Sequence, residues 1–168
     1  MNVVDAAKKQ VKNLAERVTD LAAEVAPTNE SRVQAVTVAR PRAEVIRLFQ
    51  DAERLAEVVR DFAGLHSAGE GRMRWTFRGD EGPTWDCVVT VEDGTRVRYV
   101  DVNPNHSEEF YLDFRDAPQG RGTEVIARLS SPAPGALTGL LVYKTLYRAR
   151  ALLQTGEVPT LSATPAAR

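Results

Sequence analysis

The spacing of apolar residues changes period along this chain, and each change marks a new kind of element. Residues 2–25, NVVDAAKKQVKNLAERVTDLAAEV, place Val4, Val11, Val18 and Val25 seven apart, with Ala7, Leu14 and Leu21 between them. Such a heptad stripe predicts a helix of about 22 residues, some 33 Å long. Pro27 ends it, because a residue before proline is pushed out of the helical region. RVQAVTVARP then alternates β-branched residues, as a strand does. Pro41 suits a first helical position, and RAEVIRLFQDAERLAEVVRDF carries Val45, Ile46, Phe49, Leu55, Val58, Val59 and Phe62 at helical spacing. Asp51 divides that stretch into two short helices by capping the second.

From Gly64 to Pro132 the period is two. Met73, Trp75 and Phe77 share one face of a strand, as do Trp85, Cys87, Val89 and Val91, then Val97 and Tyr99, then Phe110, Leu112 and Phe114. GEGR, GDEGP, EDGT and PQGRGT break the run with turn residues, which predicts an antiparallel meander with one buried face. ALTGLLVYKTLYRARALLQTG predicts a last helix from near Ala136 to a Gly156 C-cap. The organisation is an amphipathic helix at 1–26, a linker at 27–30, an α+β domain at 31–158 and a flexible tail at 159–168.

Composition bounds the reading without sharpening it. At 168 residues, 43% hydrophobic and 27% charged, the chain suffices for one domain with a real core. A net charge of -1 and the lack of a Lys/Arg run give no reason to expect nucleic acid. Cys87 is the one cysteine, so no internal disulfide forms. Charges interrupt the N-terminal apolar run, and LSSPAPGALTGLLVY is too short and broken to span a bilayer. A cytoplasmic protein is expected, and membrane binding is not.

Candidate chemistry is sparse. No G-x-S-x-G elbow is present, and the glycine-rich stretches lie between strands rather than opening a helix. His66 and His106 have no Cys, Asp or Glu at metal-ligand spacing, so neither metal nor cofactor is expected. Cys87, in phase with Trp85 and Val89, reads as a buried, inert thiol. The stronger signal is the aromatic face of the meander, Trp75, Phe77, Trp85, Tyr99, Phe110 and Phe114, with Leu112 beside them. These residues either fill the core or wall a pocket for a small apolar molecule, which Tyr143, Leu146 and Tyr147 on the last helix would complete. Asp101, Glu108 and Arg150 are read as inward polar groups, with an Arg–carboxylate ion pair as the plain reading and an acid–base pair as the catalytic one.

The order and spacing of VTVARPRAEVIRLFQDAERLAEVV, GRMRWTFRG, APQGRGTEV and LYRARALLQTGEVPT resemble the START-like (SRPBCC) superfamily, in particular its bacterial polyketide cyclase/dehydrase branch. The resemblance implies a helix-grip fold: a curved antiparallel sheet of six to seven strands around a long C-terminal helix, with a cavity between them. It also implies a lipid-, polyketide- or quinone-like ligand, since members bind such molecules and only some perform chemistry.

Binding of a small hydrophobic ligand is therefore the expected function. One alternative is a polyketide cyclase/dehydratase using Tyr99, Asp101, Tyr143, Tyr147 and Arg150; another is an interaction module without a ligand. The stripe of Val4, Val11, Leu14, Val18, Leu21 and Val25 lies outside the resemblance. It is expected to pair with a second copy as a homodimer or to dock on a protein surface, with Leu137 and Leu141 of the last helix, read as its outer face, as candidate receivers.

Overall fold

The computed structural model describes residues 33–129 and 138–159. Alternating β-branched residues form β1 (Val33–Val38), and the split helical stretch forms α1 (Arg42–Gln50) and α2 (Ala52–Val59). The meander gives β2 (Ala63–Ser67), β3 (Arg72–Phe77), β4 (Thr84–Glu92), β5 (Arg96–Asp101), β6 (Glu109–Asp116) and β7 (Thr123–Leu129). The chain then forms α3 (Gly139–Thr155), which starts at a Thr138 N-cap and ends at Gly156 in the left-handed conformation. The heptad stripe at 2–25, Leu137, and tail residues 160–168 lie outside the described residues.

Asp51 separates α1 from α2 by a local device. Its backbone is extended, and its carboxylate accepts from the N–H groups of Glu53 at 3.0 Å and Arg54 at 3.2 Å. Two donors at the start of α2 that helix geometry leaves open are thereby satisfied. Asp51→Ala is expected to cost about 1 kcal/mol in denaturant unfolding, with Asp51→Ser recovering most of it.

All seven strands pair antiparallel in the order β1-β7-β6-β5-β4-β3-β2, a curled half-barrel with β1 and β2 at its edges. The pairings Trp75↔Trp85, Val89↔Tyr99, Tyr99↔Phe110 and Phe110↔Leu129 hold the aromatic positions on one face. The other face carries cross-strand ion pairs, Arg74 to Asp86 at 2.7 Å and Arg96 to Asp113 at 2.6 Å, each worth little individually at this exposure. At the sheet edge, Gly122 has φ +111, and a Cβ there would lie 2.1 Å from the Val38 carbonyl oxygen, so β7 reaches β1 only through a residue without a side chain.

The helices close the concave side. Val45, Ile46, Leu48 and Phe49 of α1, with Leu55, Val58 and Val59 of α2, are buried. From α3 come Val142, Leu146, Ala149, Leu152 and Leu153. The C-terminal end of α3 is tied to the end of β1: Ala39 N–H donates to Gln154 Oε1 at 2.9 Å, and Arg40 Nε to the Leu153 carbonyl at 2.8 Å. The α+β meander follows the sequence pattern, and its curling around the C-terminal helix is the helix-grip architecture that the resemblance implies. The described residues contain no helix long and apolar enough to cross a membrane.

Candidate functional site

Where α3 crosses the sheet, an apolar cleft remains. It is lined by Phe49 and Leu55 from the helix pair, Trp75, Tyr99, Phe110 and Leu112 from the sheet, and Val142, Thr145 and Leu146 from α3. Its volume is about 20 Å³, room for about one water. The aromatic rings fill most of the space between helix and sheet. Tyr99 and Phe110 stack at 4.2 Å, Trp75 meets both edge-on, and Trp85 leans on Phe110 at 5.9 Å.

The few polar groups near this interior are mostly committed. The Tyr99 hydroxyl donates to the Phe49 carbonyl, and burial pushes its phenol well above the ordinary 10. Thr145 returns its hydroxyl to the Leu141 carbonyl at 2.8 Å. Trp75 is the exception, because its buried indole N–H has no hydrogen-bond partner among the described residues. Burial pushes the Cys87 thiol up to about 12; the Trp75 N–H points toward the sulfur without forming a well-aligned hydrogen bond, and its opposing influence does not offset burial. Cys87 is the inert thiol its phase suggests.

The fold sorts the candidate ligand residues into three groups. Trp75, Tyr99, Phe110, Leu112 and Leu146 line the cleft. Phe77, Trp85 and Phe114 are buried in the core but do not line it. Tyr143 and Tyr147 are half exposed, at 50% and 51%, on the outward side of α3. The wheel reading of that helix is thus corrected: Tyr143 faces out, while Leu141, read as outward, packs against the core. The reason is that α3 touches α2 as well as the sheet, so its buried arc extends toward α2. Phe49, Leu55, Val142 and Thr145 were not assigned as site residues; the apolar spacing of the helix pair was the available signal for the first two.

The same rotation corrects the expected inward arginine. Arg150 is exposed, and Arg148 takes the buried place at 3% exposure. Arg148 donates to the Val58 carbonyl, to Asp61 and to the Pro159 carbonyl, pinning α3 onto the end of α2. That hydrogen bond, ahead of the neighbouring charges, holds the Asp61 carboxyl below the ordinary 3.8. The catalytic set Tyr99, Asp101, Tyr143, Tyr147 and Arg150 does not converge: the Tyr99 hydroxyl is bonded to the Phe49 carbonyl, while Tyr143, Tyr147 and Arg150 are exposed on α3.

Asp101 has different partners from the expected arginine. Its nearly buried carboxylate accepts from Trp85 Nε1 at 2.9 Å, from the Asn103 N–H at 2.7 Å and from His106 Nδ1 at 3.2 Å. Burial alone would raise its carboxyl, but these donors together hold it below the ordinary 3.8. Glu108 lies opposite on the hairpin, where its carbonyl accepts the Asp101 N–H at 3.0 Å.

Among the described residues, two wider, more polar clefts lie on the surface. One, of about 630 Å³, is lined by Ala39–Pro41 and the Asp116–Gly122 turn region; the other, of about 410 Å³, is lined by residues including Arg60, His66 and Arg78. Neither has convergent buried polar groups, so the apolar cleft is the better candidate.

No protein-family description and no curated protein matches the chain. Solved structures do resemble it. DR_A0006 from Deinococcus radiodurans is 24% identical with a TM-score of 0.59, covering 74% of this chain and 97% of that one. Ms6760 from Mycobacterium smegmatis is 14% identical, TM-score 0.52, covering 74% and 91%. The Aha1 dimer from Colwellia psychrerythraea is 12% identical, TM-score 0.53, covering 74% and 96%. At these identities the likeness is one of fold.

Proposed function

We propose that this chain is a binding domain of the START-like (SRPBCC) superfamily, of the polyketide cyclase/dehydrase type, that holds a small, flat apolar molecule between the sheet and α3. The observation that carries this reading is the apolar cleft lined by Trp75, Tyr99, Phe110 and Leu146, one wall of which is a tryptophan whose buried indole N–H makes no well-formed hydrogen bond among the described residues. A guest that parts the rings and brings one acceptor oxygen to that donor would satisfy it while burying its own rings against the aromatic stack. A benzene-sized guest needs about 150 Å³, so binding separates α3 from the Tyr99–Phe110 stack. The reading is of a binder in the cytoplasm, without turnover by the tyrosines of α3.

Thermal unfolding of the full chain with naphthol, a naphthoquinone and a medium-chain fatty acid tests this. Saturating ligand stabilises the native state by mass action, and each kcal/mol raises Tm by about 2–4 °C. Val142→Phe, which fills the cleft, is expected to abolish the shift. No shift with any ligand, or an equal shift in Val142→Phe, contradicts the proposal.

A second reading, an interaction module, is favoured by a ridge on α3. Leu140, Tyr143 and Tyr147 are 71%, 50% and 51% exposed and lie at helical spacing along one side. Association through residues 2–25, as a homodimer or with a protein partner, belongs to the same reading. Light scattering on the full chain and on the Val11→Asp/Val18→Asp variant checks it: a dimer that becomes a monomer supports the stripe, and a monomer in both removes it.

A further inference from the structure

The β5–β6 hairpin brings together three side chains that share a chemistry the cleft does not use. Ligand atoms of Asp101, His106 and Glu108 all lie within 4.8 Å of one another. In sequence Asp101 and Glu108 flank the turn segment VNPNHS, which carries His106 and whose folding explains the meeting. Pro104 occupies the second position of a turn closed by His106 N–H to the Asn103 carbonyl at 3.0 Å. The Asn103 side chain accepts the Asn105 N–H at 3.0 Å, which stiffens the same turn. His106 is thereby delivered beside Asp101, and the hydrogen bond from the Asp101 N–H to the Glu108 carbonyl, just beyond the β5–β6 ladder, brings up the third group.

We propose that Asp101, His106 and Glu108 form a binding site for one divalent first-row transition-metal ion. The donor set decides the class. One imidazole nitrogen with two carboxylates suits Zn²⁺, Co²⁺ or Ni²⁺, whereas Mg²⁺ and Ca²⁺ favour all-oxygen shells. Asp101 is held as a ligand should be, since Trp85 Nε1 donates to its Oδ2 and the Asn103 N–H to its Oδ1, which together fix the plane of the carboxylate. Glu108 makes no side-chain hydrogen bond or ion pair among the described residues, and its carboxylate is free to turn toward an ion. Metal bonds of about 2.0–2.2 Å set neighbouring ligand atoms roughly 3.4 Å apart; His106 Nδ1 and Asp101 Oδ2, at 3.2 Å, are already close to that spacing, and the Glu108 carboxylate, within 4.8 Å, reaches it by a turn of its half-buried side chain. The ion takes the place of the hydrogen between His106 and Asp101 and keeps its remaining positions for water. The alternative is a plain His106–Asp101 hydrogen bond with Glu108 solvated beside it, and a titration separates the two.

Isothermal titration of Zn²⁺ into the full, tag-free chain, with Co²⁺ absorption as a second readout, is the test. One ion per chain is expected, with affinity falling about 10-fold or more in His106→Ala and in Glu108→Gln. His66→Ala should bind as the parent does. Circular dichroism should stay unchanged in all three variants, since His106 and His66 are exposed and Glu108→Gln preserves shape. Absence of saturable binding at one ion per chain overturns the proposal, as does affinity unchanged in both His106→Ala and Glu108→Gln.

Discussion

Replacing Phe110 with alanine is expected to lower the stability of this domain by about 3–5 kcal/mol. Phe110 is the hub of the aromatic group: it stacks on Tyr99 at 4.2 Å, meets Trp75 edge-on at 6.0 Å and Trp85 at 5.9 Å. Its removal loses both the burial of a large ring and the specific ring contacts of three neighbours. Those neighbours sit on adjacent hydrogen-bonded strands with fixed register, so they cannot move together to close the gap. Urea unfolding measures the loss, with Val91→Ala, at a site 38% exposed, as a control expected within about 0.5 kcal/mol of the parent. Because Phe110 also lines the cleft, the alanine variant should gain affinity for a benzene-sized probe even as it loses stability.

The second large effect belongs to the Arg148–Asp61 pair, and its asymmetry is the prediction. Arg148 is 3% exposed, whereas the Asp61 side chain is 40% exposed. Removing the acid strands a buried guanidinium with carbonyl acceptors alone; removing the arginine leaves an aspartate that water can reach. Asp61→Asn is therefore expected to cost about 2–3 kcal/mol, below the figure for breaking a fully buried pair because Asp61 is partly solvated. Arg148→Met should cost less, and the double variant should be more stable than Asp61→Asn alone. The acid dependence follows in sign. Asp61 has its carboxyl lowered in the folded state, so its contribution is present above the ordinary 3.8 and is lost as pH falls below it. Stability measured from pH 5 to pH 2 should drop less steeply in Asp61→Asn than in the parent.

The sheet was legible in the sequence because its period-2 pattern is strict: Trp75, Phe77, Trp85, Tyr99, Phe110 and Phe114 are buried on the face their alternation assigns. Asp51 was legible as a divider because capping is a local interaction. β2 was not picked out, since Ala63–Ser67 carries a weak strand composition and only Ala63 and Leu65 turn inward. The orientation of α3 failed for a different reason. Leu140, Leu141, Val142, Tyr143, Leu146 and Tyr147 nearly encircle the helix, so a wheel cannot choose the buried arc. The choice is made by Arg148, whose acidic partner lies 87 residues away in the chain. The site divides in the same way. Its sheet wall followed from alternation, while Phe49, Leu55 and Thr145 joined it through the packing of three helices. Asp101, His106 and Glu108 meet through a turn and one backbone hydrogen bond at the mouth of the β5–β6 hairpin, not through a ligand spacing along one element.

Binding between the sheet and α3 is the central claim, and the Trp75 indole N–H reports on it directly. In ¹H–¹⁵N spectra of the full chain titrated with naphthol, that resonance should move saturably, together with the amides of Val142, Thr145 and Leu146. Movement confined to the outward residues Leu140, Tyr143 and Tyr147, or no movement, would contradict it.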